Sequence, residues 1–191
     1  MASKTRDKLI EVARQLFTNK GVAHTTMNDI ANASAKGRRT IYTYFKNKRE
    51  IYNAVIETES DRLVESMRAI ASADMPVDRR LVAFMRARLE RYYLHSASES
   101  LKAWMKFDRK RVERIQRMAL QKEGLIFSNL LAEGIRDGVF RADRCKLLTN
   151  FMFVSETVND VHVLIHEDAN ERKNVINDFI EFVITDISVN K

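Results

Sequence analysis

The sequence predicts an all-α protein of about nine helices, on three observations. Only five Gly and one Pro occur in 191 residues, which leaves little room for long loops. Good helix formers (Ala, Leu, Glu, Lys, Arg, Met) are plentiful, and β-branched residues gather mainly after residue 150. Apolar residues recur at helical spacing along most of the chain.

Residues 4–19 set Leu9, Val12, Ala13, Leu16 and Phe17 on one face, and Gly21 after "TNK" stops that first helix. "HTTMNDIANA" opens a second helix, with Thr25 or Thr26 as N-cap and Met27, Ile30 and Ala31 facing inward. A break at residues 34–36 leads to a third helix over residues 37–44. "FKNKREIYNAVI" opens a long fourth helix, capped by Asn47 and ending near Ser72. "SADMPVD" holds the only proline, and Asp74 and Pro76 suit the entry of a fifth helix over 77–94. "HSASES" precedes a sixth helix through Trp104. A long seventh, 108–137, begins with "DRKRVERIQR" and stops at Gly138. That charge run reads as a solvated helix face with i,i+4 pairs; a second polyanion contact is the alternative.

The last two helices, 143–166 and 171–189, are different. The apolar positions of the final one cover an arc of roughly 220°, whereas a surface helix needs a stripe of about 100°. Such helices bury two faces, and the second most simply meets a copy of itself. The expected interface residues are Phe151, Val158, His162, Phe179 and Val183.

Charge divides the chain. Residues 1–50 hold eleven Lys and Arg against four Asp and Glu, an excess equal to the whole net charge of +7; beyond them, 22 of each sign cancel. A basic module on a neutral body points to a polyanion partner for that module alone. Two short helices joined by a three- or four-residue turn form a helix-turn-helix, and here the second carries the cations. A small bundle with solvated charges is the plainer alternative.

Other chemistries find less support. The chain has no G-x-S-x-G, Walker loop, G-x-G-x-x-G or C-x-x-C, so no enzyme and no cofactor are expected. His162 and His166 share a helical face at i,i+4, with Glu167 and Asp168 close by, but the H-E-x-x-H glutamate is missing and no metal is expected. The lone Cys145, between Arg144 and Lys146, is either an oxidant-sensitive thiol of lowered pKa or a semi-buried one without that role. One cysteine, no apolar leader and no membrane-length apolar run predict a soluble cytoplasmic protein with no membrane partner. Trp104, Met105, Phe107, Met118, Phe127, Phe84 and Tyr92 read as core, part of which would wall an apolar pocket. Arg88 and His95 are its possible polar anchors.

The ordered set Leu16-Phe17, Gly21, Thr26, Ile30-Ala31, Thr40, Tyr42, Phe45 and Lys48, within "LIEVARQLFTNKGVAHTTMNDIA" and "TIYTYFKNKREIY", resembles the TetR family of bacterial transcription regulators. The resemblance is specific over residues 5–56. It implies a three-helix DNA-binding domain (1–48) with a helix-turn-helix, joined by the long fourth helix to a larger helical effector-binding and dimerisation domain (49–191). It also implies a homodimeric repressor that leaves a palindromic operator in double-stranded DNA when a small-molecule effector, largely apolar, binds. A helical protein-interaction adaptor with a basic N-terminal module and no operator is the alternative.

The resemblance implies DNA contacts at Thr26, Thr40, Tyr42 and Lys48. The cations and aromatics around them add Lys36, Arg38, Arg39 and Tyr44, while Ile41 and Phe45 are expected to pack inward. Candidate effector-pocket residues are Phe84, Arg88, Tyr92, Trp104, Phe107 and Phe127, and the fourth helix is the expected route of signal transfer. The chain departs from the family pattern at three places: Ala35 replaces the turn glycine, Gly37 the capping Ser or Thr, and Arg38-Arg39 a Lys-Gly pair.

Overall fold

The structure, a computed structural model, describes residues 2–97, 108–157 and 168–189. Its helices are α1 (Ala2–Lys20), α2 (Met27–Ala33), α3 (Arg38–Tyr44), α4 (Lys48–Ala71), α5 (Val77–Ala97), α6 (Arg109–Arg136), α7 (Ala142–Thr157) and α8 (Ala169–Ile187). The additional helix expected through Trp104 falls outside the described residues. The fold is all-α, as the composition requires. Contacts group the chain into two compact units, Met1–Leu63 with Ser98–Ala119 and Val64–Ala97 with Leu120–Lys191, and the chain passes between them inside α4, after α5 and inside α6.

In the first unit, the face of α1 read from the sequence is the buried one. Leu9, Ala13 and Phe17 are fully buried, and Ile10, which the periodicity omitted, joins them. They pack with Ile30 of α2, Ile41 of α3, and Ile51, Tyr52 and Val55 of α4. The Phe17 and Tyr52 rings meet tilted at 6.2 Å, and burial pushes the Tyr52 phenol pKa up. Gly21 ends α1 in the left-handed conformation (φ +80°), its N–H bonding the Phe17 carbonyl at 3.0 Å.

A carboxylate also ties α1 to α4. Glu11 accepts from Arg14 Nη2 at 2.6 Å and from Arg62 Nη2 at 3.0 Å. The Arg14 guanidinium, opposed by burial and helped by Arg62, lowers the Glu11 pKa from the usual 4.5 to about 2. A depressed carboxylate contributes stability above its unfolded pKa and loses it as pH falls through the folded one. The side chain is about a third exposed, so screening reduces the ~3 kcal/mol of the full shift to about 1 kcal/mol. Glu11→Gln is therefore expected to be less stable than wild type by a constant margin above pH 5. That margin should close between pH 4.5 and pH 2 in urea denaturation; a margin independent of pH would show that the pair does not act this way.

The start of α6 belongs to this unit, and here the structure corrects the reading of the charge run as merely solvated. Asp108 is buried and accepts from Arg49 Nε at 2.7 Å and Asn53 Nδ2 at 3.1 Å. The Arg49 guanidinium, aided by Asn53 and the Arg111 N–H, holds its carboxyl below the usual range. Arg111 pairs with Glu57, and Val112 enters the apolar core. Arg49, Asn53 and Glu57 thus form an i, i+4, i+8 stripe on α4, against which the first turn of α6 lies. Arg109–Glu113, an exposed i,i+4 pair at 2.6 Å, and the exposed Lys110, Arg114 and Arg117 match the solvated picture.

In the second unit α5 and α6 run antiparallel, matched rung by rung. Phe84 faces Phe127 with ring centroids 5.8 Å apart, and one turn along Arg88 faces the buried Glu123 at 3.5 Å. At the other end Arg80 forks onto Glu133 and bonds the Ala71 carbonyl. Gly138 (φ +71°) closes α6, and the Val139 and Phe140 N–H groups return to the Gly134 carbonyl. Phe140 and Ser188 form an antiparallel bridge that fastens the end of α8. Met118, expected in the core set, is instead exposed on α6. Cys145 is buried, and burial with the nearby Asp143 raises its thiol pKa, so the lowered-pKa reading fails.

Candidate nucleic-acid interface

The helix-turn-helix is α2, a tight turn and α3. Thr26 is the N-cap of α2 in a full capping box. Its hydroxyl accepts from the Asp29 N–H at 3.1 Å, while Asp29 Oδ2 accepts from the Thr26 N–H at 2.8 Å. Thr25 is buried and donates its hydroxyl to the Gly21 carbonyl at 2.9 Å, so it belongs to the core side of this turn.

The turn passes through Ala35 at φ +53°, the conformation that glycine adopts freely and a Cβ resists. Ala35 therefore holds a backbone conformation suited to glycine and stores strain there. Ala35→Gly is expected to stabilise the protein by about 0.5–1 kcal/mol, net of the greater unfolded-state entropy of glycine. Thermal unfolding would show a rise of about 2 °C, and a fall would contradict this account of the turn.

Gly37 is the N-cap of α3 and supplies no side-chain cap. Ile41 is fully buried and Phe45 nearly so, as expected, and Tyr44 lies half-buried against the same core. At 100° per residue from Ile41, Arg39 and Thr43 stand at roughly 160° on either side, directly opposite the core. Arg38 and Tyr42 lie on one flank at roughly 60° and 100°, and Thr40 on the other at roughly 100°. Arg38, Arg39, Tyr42 and Thr43 are exposed, and Thr40 and Lys36 are half-buried. The Arg38 guanidinium lies 6.0 Å from the Tyr42 ring centroid. Thr43, absent from the sequence-based candidates, turns its hydroxyl back to the Arg39 carbonyl at 3.0 Å. Fixing Ile41 as the inward direction was enough to reveal it.

Lys48 sits differently from the rest. Its ammonium donates to the carbonyls of Val22 at 2.8 Å and Ala23 at 3.3 Å, tying the start of α4 to the turn before α2. Among the described residues no carboxylate forms an ion pair with Lys36, Arg38, Arg39 or Lys46, whereas Arg14, Arg49, Arg62, Arg80 and Arg111 are all paired. The α3 surface is thus cationic without internal neutralisation.

Of the other candidates, Phe84, Arg88 and Phe127 come together in the second unit. Phe179 is half-buried and Val183 is buried in its own protomer. The side chains of Tyr92 and Phe151, and all of Trp104, Phe107, Val158, His162 and His166, lie outside the described residues. So do Met105 and the side chain of His95. Among the described side chains of α7 and α8, the largest apolar exposure belongs to Leu147 (60%) and Phe182 (71%), which line one shallow groove with Phe179 and Leu148. No helix among the described residues is long and apolar enough to cross a membrane.

A basic helix-turn-helix followed by a larger helical unit defines a class of bacterial regulators, and comparison with known families agrees. The family model "Bacterial regulatory proteins, tetR family" matches residues 9–55, and "QacR-like protein, C-terminal region" matches residues 82–189. The chain belongs to the TetR family. It is 48% identical over 52 residues to the "Probable acrEF/envCD operon repressor" of Escherichia coli, covering 27% of this chain and 24% of that protein. It is 37% identical over 73 residues to the HTH-type transcriptional regulator TtgR of Pseudomonas putida, covering 38% and 35%. These matches therefore span about a quarter to a third of the relatives' lengths. A TetR/AcrR-family regulator from Thermobifida fusca superposes with a TM-score of 0.64 over 94% of this chain and 96% of that one, at 22% identity, and shows the same fold.

Proposed function

We propose that this protein is a dimeric DNA-binding repressor. It occupies a palindromic operator through α3 and leaves it when a small, largely apolar effector binds the second unit. The observation that carries this reading is the outward face of α3. It is cationic, has no carboxylate ion-paired to it among the described residues, and belongs to the quarter of the chain that holds all the excess positive charge. Two-fold pairing through the Leu147–Phe182 surface would present two such faces to successive major grooves. The tilted Phe84–Phe127 ring pair, with the nearly dry Arg88–Glu123 pair one turn away, would become an apolar wall with a polar anchor where the effector parts this buried cluster. The effector would favour a dimer whose recognition helices no longer match the grooves. Moving that equilibrium from 99:1 to 1:99 takes about 5.5 kcal/mol of differential binding. Genome-wide mapping of bound sites is expected to return a small set of intergenic inverted repeats. Recovery of no enriched DNA would leave the adaptor reading standing instead.

A further inference from the structure

We infer that the two adjacent arginines of α3 divide the work of recognition: Arg39 reads a guanine in each half-site, and Arg38, stacked on Tyr42, holds a phosphate. This rests on the DNA-binding reading above and extends it to base preference. The division follows from direction. In a helix lying in a major groove, the residues opposite its core contact face the base edges, while those on its flanks face the sugar–phosphate walls. Ile41 fixes the core direction, being fully buried. Arg39 stands opposite it, and Arg38 stands on the flank shared with Tyr42.

The two side chains are held differently. Arg38 has its guanidinium 6.0 Å from the Tyr42 ring centroid, which draws it along the flank, where the Tyr42 hydroxyl can donate to the same stretch of backbone. Arg39 forms no ion pair with any described carboxylate, and its fork is free to extend. A guanidinium carries only donors, so a base edge satisfies it in bidentate fashion only where two acceptors lie side by side. In the major groove that is O6 and N7 of guanine. Adenine offers one acceptor beside a donor, thymine a single carbonyl, and cytosine a donor. Thr43 completes the centre of the face. Its hydroxyl donates to the Arg39 carbonyl at 3.0 Å, which leaves the oxygen lone pairs and the methyl group to neighbour the same bases.

Selection of bound duplexes from a random pool, run in parallel with wild type, Arg39→Ala, Arg39→Gln and Arg38→Ala, tests this assignment. Wild type should enrich an inverted repeat with one symmetric G·C pair that Arg39→Ala no longer prefers. The loss of preference should be about 5- to 150-fold at that pair, with the other positions kept. Arg39→Gln should exchange the guanine for adenine. Arg38→Ala should keep the motif and weaken all sequences alike. Arg39 is exposed and opposite the core, so its variants should retain the far-ultraviolet helix signal, which is checked alongside. Identical motifs from wild type and both Arg39 variants would overturn base reading by Arg39 and leave DNA binding intact. No enriched motif from wild type would overturn both.

Discussion

Phe182→Glu is expected to abolish the proposed dimer. Phe182 is 71% exposed on α8 and lies in one groove with Leu147, 60% exposed on α7. Burying a phenyl ring is worth about 1.5–3 kcal/mol, and a two-fold seam contains it twice. Its loss therefore amounts to about 3–6 kcal/mol, or roughly 10²- to 10⁴-fold in the dimer dissociation constant, before the cost of desolvating two carboxylates is added. The substitution touches little of its own protomer's core, so the monomer should stay folded. A charge at Val183, which is buried within the protomer, would confuse assembly with folding. Sedimentation velocity should show dimer for wild type and monomer for Phe182→Glu, with operator affinity lost in parallel. A wild-type monomer that binds DNA fully, or a variant that remains dimeric, would remove this surface from the account.

Gly134→Ala is the second large effect, and its sign opposes intrinsic propensity. Alanine in a helix interior is favoured over glycine by about 1 kcal/mol. Here the Phe140 ring lies directly over the Gly134 Cα, and an added Cβ would fall inside the ring edge, 2.9 Å from Cγ and closer still to two other ring carbons. Phe140 is buried, which leaves its ring little room to swing, and its own N–H bonds the Gly134 carbonyl at 3.0 Å, so the backbone that carries it cannot withdraw without opening the end of α6. Overpacking of this kind costs about 1–3 kcal/mol, a fall of about 2–12 °C in Tm. Phe140→Ala alone should cost about 3–5 kcal/mol. In that background Gly134→Ala should become neutral or stabilising by up to about 1 kcal/mol, because the clash is gone and propensity remains. A double-mutant cycle by thermal unfolding reads this reversal directly. Additive effects would show that the ring does not set the requirement for glycine.

Local pattern made most of the fold legible. The α1 face, a threonine cap at residue 25 or 26, the start of α3 after Gly37 and the stop at Gly138 follow from periodicity, capping chemistry and glycine, all properties of a few adjacent residues. What stayed hidden depends on residues far apart in sequence. Asp108 looked like one more charge in a solvated run, yet it is buried because Arg49 and Asn53, more than fifty positions earlier, supply its partners. Lys48 is held by the carbonyls before α2, a contact that no spacing rule announces. Thr43 lay within reach of the sequence, since the inward direction of Ile41 already placed it outward. Met118 belonged to an apolar-looking set, but one residue's hydrophobicity does not tell which face of a long helix finds a neighbour.

The central claim is that the exposed cations of α3 and the turn before it grip the phosphate backbone. The most direct measurement is the affinity of wild type for a duplex of about 30 base pairs, titrated from 50 to 300 mM salt by fluorescence anisotropy. A dimer that neutralises about 6–10 phosphates predicts a slope of log affinity against log salt near −5 to −9. Removal of Arg38 from both protomers should flatten it by roughly 2. A slope near zero, or one unchanged by Arg38→Ala and Arg39→Ala together, would contradict the claim.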